Sequence, residues 1–209
     1  MSNILSNWLI ENWKISLPIF ISLIAILFTA LKDFILPVIF KPKLNITYNS
    51  QEPYKRAPII LSPGSVLSAF DRFKVENVGK KTAKNCRCQI YQVTDSKGKD
   101  VDLQGFPLRW ASRPDSGTDF SKAERLNIGP GESEFVDLVY MRSDNTTKTF
   151  LSSYHNTPIG MGDSIPIDDY IIKAIISGDN FKPYFASFKI GKKPELNGFK
   201  IKLLNVTKK

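Results

Sequence analysis

A run of seventeen uncharged residues near the start of the sequence constrains this chain more than any other feature. The run covers residues 15–31 and reads ISLPIFISLIAILFTAL. A helix rises about 1.5 Å per residue and the hydrocarbon core of a bilayer is about 30 Å thick, so the run lies at the short end of a membrane-spanning segment. Trp8, Trp13 and Lys32 flank it, where interfacial side chains are typical. Residues 1–31 are therefore predicted to form an N-terminal flank and one transmembrane helix.

A cleaved secretory signal is the main alternative to an anchor. Such a signal begins with a positive region and ends at a small-x-small cleavage site. Here the first residues, MSNILSNWLIENWK, carry one Glu and one Lys, and the run ends in LFTALKD without that pattern. The sequence favours an uncleaved anchor.

The basic residues near the two ends of the run predict its orientation. Lys14 precedes the run, whereas Lys32, Lys41, Lys43, Lys55 and Arg56 follow it. Because cytoplasmic flanks carry an excess of Lys and Arg, the C-terminal part is expected in the cytoplasm. This predicts a single-pass protein of the cell inner membrane with a cytoplasmic C-terminal domain.

Residues 32–43, KDFILPVIFKPK, are predicted to form an interfacial elbow. Pro37 and Pro42 interrupt a continuing helix. The apolar side chains between them could lie at the acyl boundary, while the lysines reach anionic headgroups.

From residue 44 onward the pattern is that of β-strands. Apolar residues alternate with polar ones, as in FKVEN, and turns rich in Gly, Pro, Asn and Asp separate the runs. In residues 135–141 the alternation predicts that Val136, Leu138 and Tyr140 share one face. No helix is expected after residue 43, so residues 44–209 are predicted to form one all-β domain, a β-sandwich.

Cys86 and Cys88 lie two apart in AKNCRCQIYQV, which places both on one face of a strand. They are predicted to be buried, unpaired core residues, since a structural metal site needs four ligands and the chain has one His. The absence of a disulfide framework is typical of a reducing compartment.

The positive net charge of the chain has two interpretations. Residues 1–40 hold Glu11, Lys14, Lys32 and Asp33, which cancel, so the formal charge of +9 belongs to residues 41–209. Scattered lysines would serve solubility, whereas a cluster would attract lipid headgroups, nucleotides or nucleic acid.

Three segments carry a resemblance to a known class of module. They are RFKVENVGKKTAKNCRCQIY, LNIGPGESEFVDL and the pair DDYIIKAIISGDN and FASFKI. These resemble immunoglobulin-like modules of prokaryotic surface and membrane proteins, including CARDB-type domains. The resemblance implies an immunoglobulin-like β-sandwich with a binding or spacer role, without catalysis and without a cofactor.

Candidate site residues fall in two places. The segment 104–121 is longer than such modules need, and its Phe106, Arg109, Trp110 and Arg113 are candidates for binding a partner. In the helix, Ser22, Ala25 and Thr29 form a small-residue stripe that permits close helix packing.

No catalytic, metal or cofactor residues are proposed. The single histidine, His155, has neither a nucleophile elbow nor a ligand cluster around it in the sequence.

The sequence therefore predicts a membrane-anchored, non-enzymatic adaptor that binds the lipid bilayer and another protein, with possible self-association through its helix. The alternative is a membrane effector whose β-sandwich senses an anionic ligand, a nucleotide or nucleic acid, and whose helix oligomerises to perturb the membrane, as in prokaryotic defence systems. Nucleic acid is the less expected partner, because no basic–aromatic motif is present.

Overall fold

The computed structural model describes residues 12–36, 40–60, 67–112, 125–142, 145–151, 164–166, 168–195 and 198–208. Trp8, Pro37, Arg113 and His155, which the sequence analysis singled out, lie outside these residues. The chain divides into two compact units, Met1–Lys41 and Pro42–Lys209.

The first unit contains one long apolar helix. The α-helix α1 (Trp13–Ala30) continues into a π-helical turn, Leu31–Ile35. Residues 15–35 are long and apolar enough to cross a membrane, and none of that segment is buried. Pro18 lies inside the helix. Residues 32–36, assigned above to the elbow, are helical, so the helix is longer than predicted.

The second unit is built from strands. They are β1 (Leu44–Thr47), β2 (Lys55–Ile60), β3 (Leu67–Asn77), β4 (Ala83–Thr94), β5 (Asp100–Val101), β6 (Arg109–Trp110), β7 (Leu126–Ile128), β8 (Ser133–Arg142), β9 (Asn145–Leu151), β10 (Ser164–Pro166), β11 (Tyr170–Ser177), β12 (Tyr184–Glu195) and β13 (Gly198–Lys208). The mostly-β composition confirms the predicted all-β class of this part of the chain.

The strands form two antiparallel sheets that share one core. The seven-stranded sheet has the order β1-β3-β8-β9-β10, with β2 beside β3 and β6 beside β8. The six-stranded sheet has the order β13-β12-β11-β4-β5, with β7 beside β4. Phe73 of the first sheet and Phe188 of the second meet in the core, with ring centroids 4.8 Å apart.

Alternation predicts the inward faces of most strands. In β11 the residues Tyr170, Ile172, Ala174 and Ile176 are buried and their neighbours are more exposed. In β8 the alternation is interrupted: Val139 pairs with Asp71 and Asp137 pairs with Arg72, which leaves Leu138 as an extra residue.

This bulge shifts the alternation in β8 by one residue. After an inserted residue, each side chain points to the face opposite to the one that simple alternation predicts. Val139 and Met141 are buried in the core together with Leu138, whereas Tyr140 is only half-buried. The prediction that Tyr140 shares a face with Val136 and Leu138 is therefore wrong.

Candidate binding surface

Two rows of side chains cross three neighbouring strands of the seven-stranded sheet. The register pairs Phe73 with Val136 and Val136 with Trp110, and all three are fully buried. The next row pairs Arg72 with Asp137 and Asp137 with Arg109. Since successive residues of a strand point to opposite faces, the charged row lies on the outer face of this sheet.

Asp137 is the centre of the charged row. Its Oδ2 accepts a hydrogen bond from Arg109 Nε at 2.9 Å, and its Oδ1 accepts one from Arg72 Nε. The Asp137 side chain is 0% exposed, and the side chains of Arg72 and Arg109 are 9% and 13% exposed. A buried carboxylate requires such partners, because an unpaired buried charge is strongly destabilising.

Two aromatic rings adjoin this row. Phe70 and Tyr140 are paired across β3 and β8, and their rings stack with centroids 5.3 Å apart. Arg72 Cζ and Arg109 Cζ lie 5.5 and 5.7 Å from the Phe70 centroid, within the range of cation–π attraction. The arginine–aromatic surface is defined here as Phe70, Arg72, Arg109, Asp137 and Tyr140.

The structure separates the predicted partner-binding residues. Trp110 is fully buried in the core, because it occupies the inward position of β6, so its side chain offers no surface to a partner. Phe106 is half-buried and packs against the core. Arg109 joins the arginine–aromatic surface, whereas Arg113 lies outside the described residues.

Sequence reasoning missed Phe70, Arg72, Asp137 and Tyr140 as members of this surface. A signal existed: Arg72 immediately precedes a core phenylalanine, and Asp137 interrupts the apolar run FVDLVYM. A charged residue inside an apolar strand implies either an outward position or a buried partner, and here both apply.

The small-residue stripe of the helix is exposed along the described part of α1. Ser22 Oγ donates to the carbonyl of Pro18 at 2.8 Å, and Thr29 Oγ1 donates to the carbonyl of Ala25 at 2.8 Å. Both hydroxyls are therefore satisfied within their own helix, and self-association through Ser22, Ala25 and Thr29 remains a prediction that would depend on close packing.

The cysteines confirm the prediction of burial. Cys86 and Cys88 are buried, and neither forms a disulfide. Burial raises the pKa of the Cys86 thiol from 9.0 to about 12 and also raises the pKa of Cys88. Because the thiolate is the nucleophile and metal ligand, neither group is poised for chemistry at neutral pH.

Acidic groups gather at one end of the six-stranded sheet. A cavity of about 200 Å³ is lined by Asp95, Ser96, Asp169, Tyr170, Ile171 and Lys189. Asp95 Oδ1 accepts the backbone N–H groups of Lys97 and Lys99, which is turn capping. Within the described residues no group of three or more His, Cys, Asp or Glu side chains could hold a metal ion.

Comparisons with known proteins give no family for this chain: it matches no protein-family model, no curated protein and no solved structure.

Proposed function

We propose that this chain is a single-pass membrane protein whose immunoglobulin-like β domain binds a protein partner at the cytoplasmic face as a non-enzymatic adaptor. The observation that carries the proposal is the exposure of α1 and the π-helical turn. Their large apolar side chains, among them Phe20, Leu27 and Phe28, are exposed along the whole segment. A helix that is apolar on all sides requires a lipid or protein environment.

The length of the helix supports an anchor over a cleaved signal. Helical structure extends from Trp13 through Leu36, beyond the uncharged run. The apolar region of a signal peptide covers only about 7–15 residues, whereas a spanning helix needs about 20.

Topology supports the immunoglobulin-like assignment. In such domains the strands A, B, E and D form one sheet and C, F and G the other. Here β1, β3, β8 and β6 are neighbours in that order in one sheet, and β4, β11 and β12 are neighbours in the other. The chain passes from β3 to β4 between sheets, as strands B and C do.

Supporting a binding role, the two members of the arginine–aromatic surface that are not buried are an Arg and a Tyr, Arg109 and Tyr140, which are side-chain types that carry much of the energy in protein interfaces. Tyr140 is the test position because it is half-buried and is not part of the ion pairs of Asp137. Tyr91, partly exposed on the six-stranded sheet, offers a matched control.

The experiment compares a partner captured from solubilised membranes by the full chain, by Tyr140→Ala and by Tyr91→Ala. We expect Tyr140→Ala to weaken the complex about tenfold or more and Tyr91→Ala to leave it unchanged, because interface energy concentrates in a few anchors. A partner that binds all three equally would contradict the assignment of this surface.

The sensor reading is the second candidate. The observation that favours it is the position of two guanidinium groups, those of Arg72 and Arg109, on the carboxylate of Asp137. Binding of the full chain to a random oligonucleotide and to nucleotides is measured from low to physiological salt. Nucleic-acid binding weakens steeply with salt because neutralised phosphates release counterions. Submicromolar binding of the oligonucleotide or of a nucleotide that persists at physiological salt would favour the sensor function over the adaptor function.

Orientation is tested by reporters fused separately after Lys209, one active only in the periplasm and one only in the cytoplasm. The lysines that follow the apolar run predict activity of the cytoplasmic reporter. Activity of only the periplasmic reporter would reverse the proposed topology.

A further inference from the structure

One buried side chain organises the end of the β domain at which the chain enters it. Asn77 is 0% exposed, and its Oδ1 accepts the backbone N–H of Lys43 at 3.3 Å and that of Gly79 at 3.0 Å. Its Nδ2 donates to the carbonyls of Lys81 at 2.7 Å and Ile128 at 2.9 Å. The turn between β3 and β4 is thereby fixed beside Lys43.

Backbone hydrogen bonds fix further elements at the same end. Val78 N–H donates to the carbonyl of Lys43 at 2.8 Å, and Gly131 N–H donates to the carbonyl of Asn77 at 2.8 Å. Asn77 N–H donates in turn to the carbonyl of Glu132 at 2.9 Å. The turn between β7 and β8 therefore lies against the turn between β3 and β4.

The turn between β11 and β12 joins this group through Asn180. Its Oδ1 accepts the backbone N–H of Lys84 at 3.0 Å, and its Nδ2 donates to the carbonyl of Thr82 at 2.9 Å. The last strand also ends here, because Lys208 pairs with Tyr184 and its Nζ lies 5.0 Å from the Tyr184 ring centroid.

Charge at this end is mostly positive. The entry surface is defined by seven exposed residues, Lys43, Val78, Lys80, Lys81, Lys84, Lys182 and Lys208. Two exposed carboxylates lie near it, and both accept hydrogen bonds. Glu132 binds the backbone N–H of Gly129 at 2.6 Å, and Asp179 binds Asn85 Nδ2. Val78, in the turn, is 48% exposed.

Few residues separate the helix from Lys43 along the chain. Six residues, 37–42, lie between Leu36, the last residue that the structure describes as helical, and Lys43. An extended chain advances at most about 3.6 Å per residue, so Leu36 and Lys43 can be separated by no more than about 25 Å.

We propose that the entry surface binds the anionic phospholipid headgroups of the bilayer that α1 enters, with its lysines on the phosphates and Val78 at the acyl boundary. The inference rests on the proposed function, because it needs α1 to be the anchor. Charge complementarity carries it: the cytoplasmic leaflet is negative, and its attraction for basic side chains falls off within a Debye length. The elements that Asn77 joins would then present a rigid basic face to the headgroups.

The test places the full chain in nanodiscs of phosphatidylcholine alone and in nanodiscs of equal parts phosphatidylcholine and phosphatidylglycerol. Lysines are acetylated with a water-soluble reagent, and the rate at each position is read by mass spectrometry. We expect Lys84 and Lys182 to react about threefold or more slowly in the anionic discs, since headgroup contact competes with the reagent. Lys200 and Lys202, exposed on β13, are internal controls whose rates should not change.

Two variants sharpen the comparison. Lys80→Glu with Lys81→Glu should abolish the protection of Lys84 and Lys182, whereas Lys200→Glu with Lys202→Glu should retain it. Equal acetylation rates in the two discs, or protection of the β13 lysines as well, would overturn the entry surface as a lipid site. Failure of the chain to enter either disc would instead overturn the anchor and, with it, this inference.

Discussion

Asp71 of β3 accepts the backbone N–H of Phe199 of β13 at 2.8 Å, so a carboxylate from one sheet is bound by the backbone of the other. Tyr48 adds its hydroxyl at 3.2 Å from the other oxygen of Asp71. Asp71 is fully buried, and this contact ties the two sheets together.

Removal of this carboxylate should loosen the sheet packing. We expect Asp71→Ala to lower the free energy of unfolding by about 3 kcal/mol, because the buried N–H of Phe199 and the half-buried hydroxyl of Tyr48 lose their acceptor. Denaturant unfolding of the full chain in detergent measures the effect. The exposed Asp102 provides the control, and Asp102→Ala should change stability by less than about 0.5 kcal/mol. If Asp71→Ala lowered stability as little as Asp102→Ala does, the contact of Asp71 would not couple the two sheets.

The Asp137 network gives a second prediction. Asp137→Ala should cost about 3–5 kcal/mol, because it leaves two mostly buried guanidinium groups without their carboxylate. Arg72→Met should cost less, since Arg109 still pairs with Asp137. The variant that combines Asp137→Ala with Arg72→Met should lose less stability than the sum of the losses of the two single variants, as expected for residues in contact.

The pair Lys74–Glu76 is the control for this cycle. Its atoms are 2.9 Å apart, but its side chains are 27% and 30% exposed. Glu76→Ala should therefore cost less than about 1 kcal/mol. A loss for Asp137→Ala as small as this would contradict the buried network.

The cysteines predict an alkaline loss of stability. Their pKa values are raised in the folded state, so above pH 9 the unfolded thiols lose protons while the folded thiols keep theirs. The unfolded state then binds fewer protons, and stability falls as pH rises from about 9 towards 12. We expect Cys86→Val with Cys88→Val to make this decline shallower, by about 1 kcal/mol per pH unit per thiol.

The measurement is denaturant unfolding at several pH values between neutrality and the alkaline range. At pH 7 the double variant should lose little stability, because size and apolarity are roughly kept. Rapid labelling of the native protein by a bulky maleimide, or an unchanged alkaline slope, would contradict the burial of both thiols.

Self-association of the helix is a fourth prediction. Ser22→Leu, Ala25→Leu and Thr29→Leu together should abolish the signal in a membrane two-hybrid assay, because larger side chains prevent close approach. Ile24→Ala and Leu27→Ala together, on the opposite side of the helix, should leave the signal unchanged. An unchanged signal from the Leu variant, or no signal from the wild type, would refute association through this stripe.

Much of the β domain follows from the alternation of side chains. The inward face of β11 is the one that period two predicts throughout, whereas β4 follows period two only from Cys86 to Ile90, and its buried Ala83 and Val93 each lie three residues from the next buried residue. The short strands β5 and β10 escape prediction, because two or three residues carry no periodicity. Their pairing is decided by neighbouring strands and not by their own sequence.

The candidate surface could be predicted only in part. Arg109 was identified because it lies in a long segment between strands, but its partner Asp137 is 28 residues away. Trp110 is a candidate for the same reason, but the pleat of β6 sends the side chains of Arg109 and Trp110 to opposite faces. Register across β3, β8 and β6 is set by tertiary pairing and by the bulge at Leu138, which the sequence does not mark.

The central claim is that the apolar helix is an uncleaved membrane anchor. The most direct measurement is the intact mass of the chain recovered from membranes washed with alkaline carbonate, which removes proteins held only at the surface. The account predicts that the chain remains in the pellet with residues 15–31 intact, and that a chain lacking residues 1–41 does not. A full chain released into the supernatant, or a product from which the apolar run has been cleaved, would contradict it.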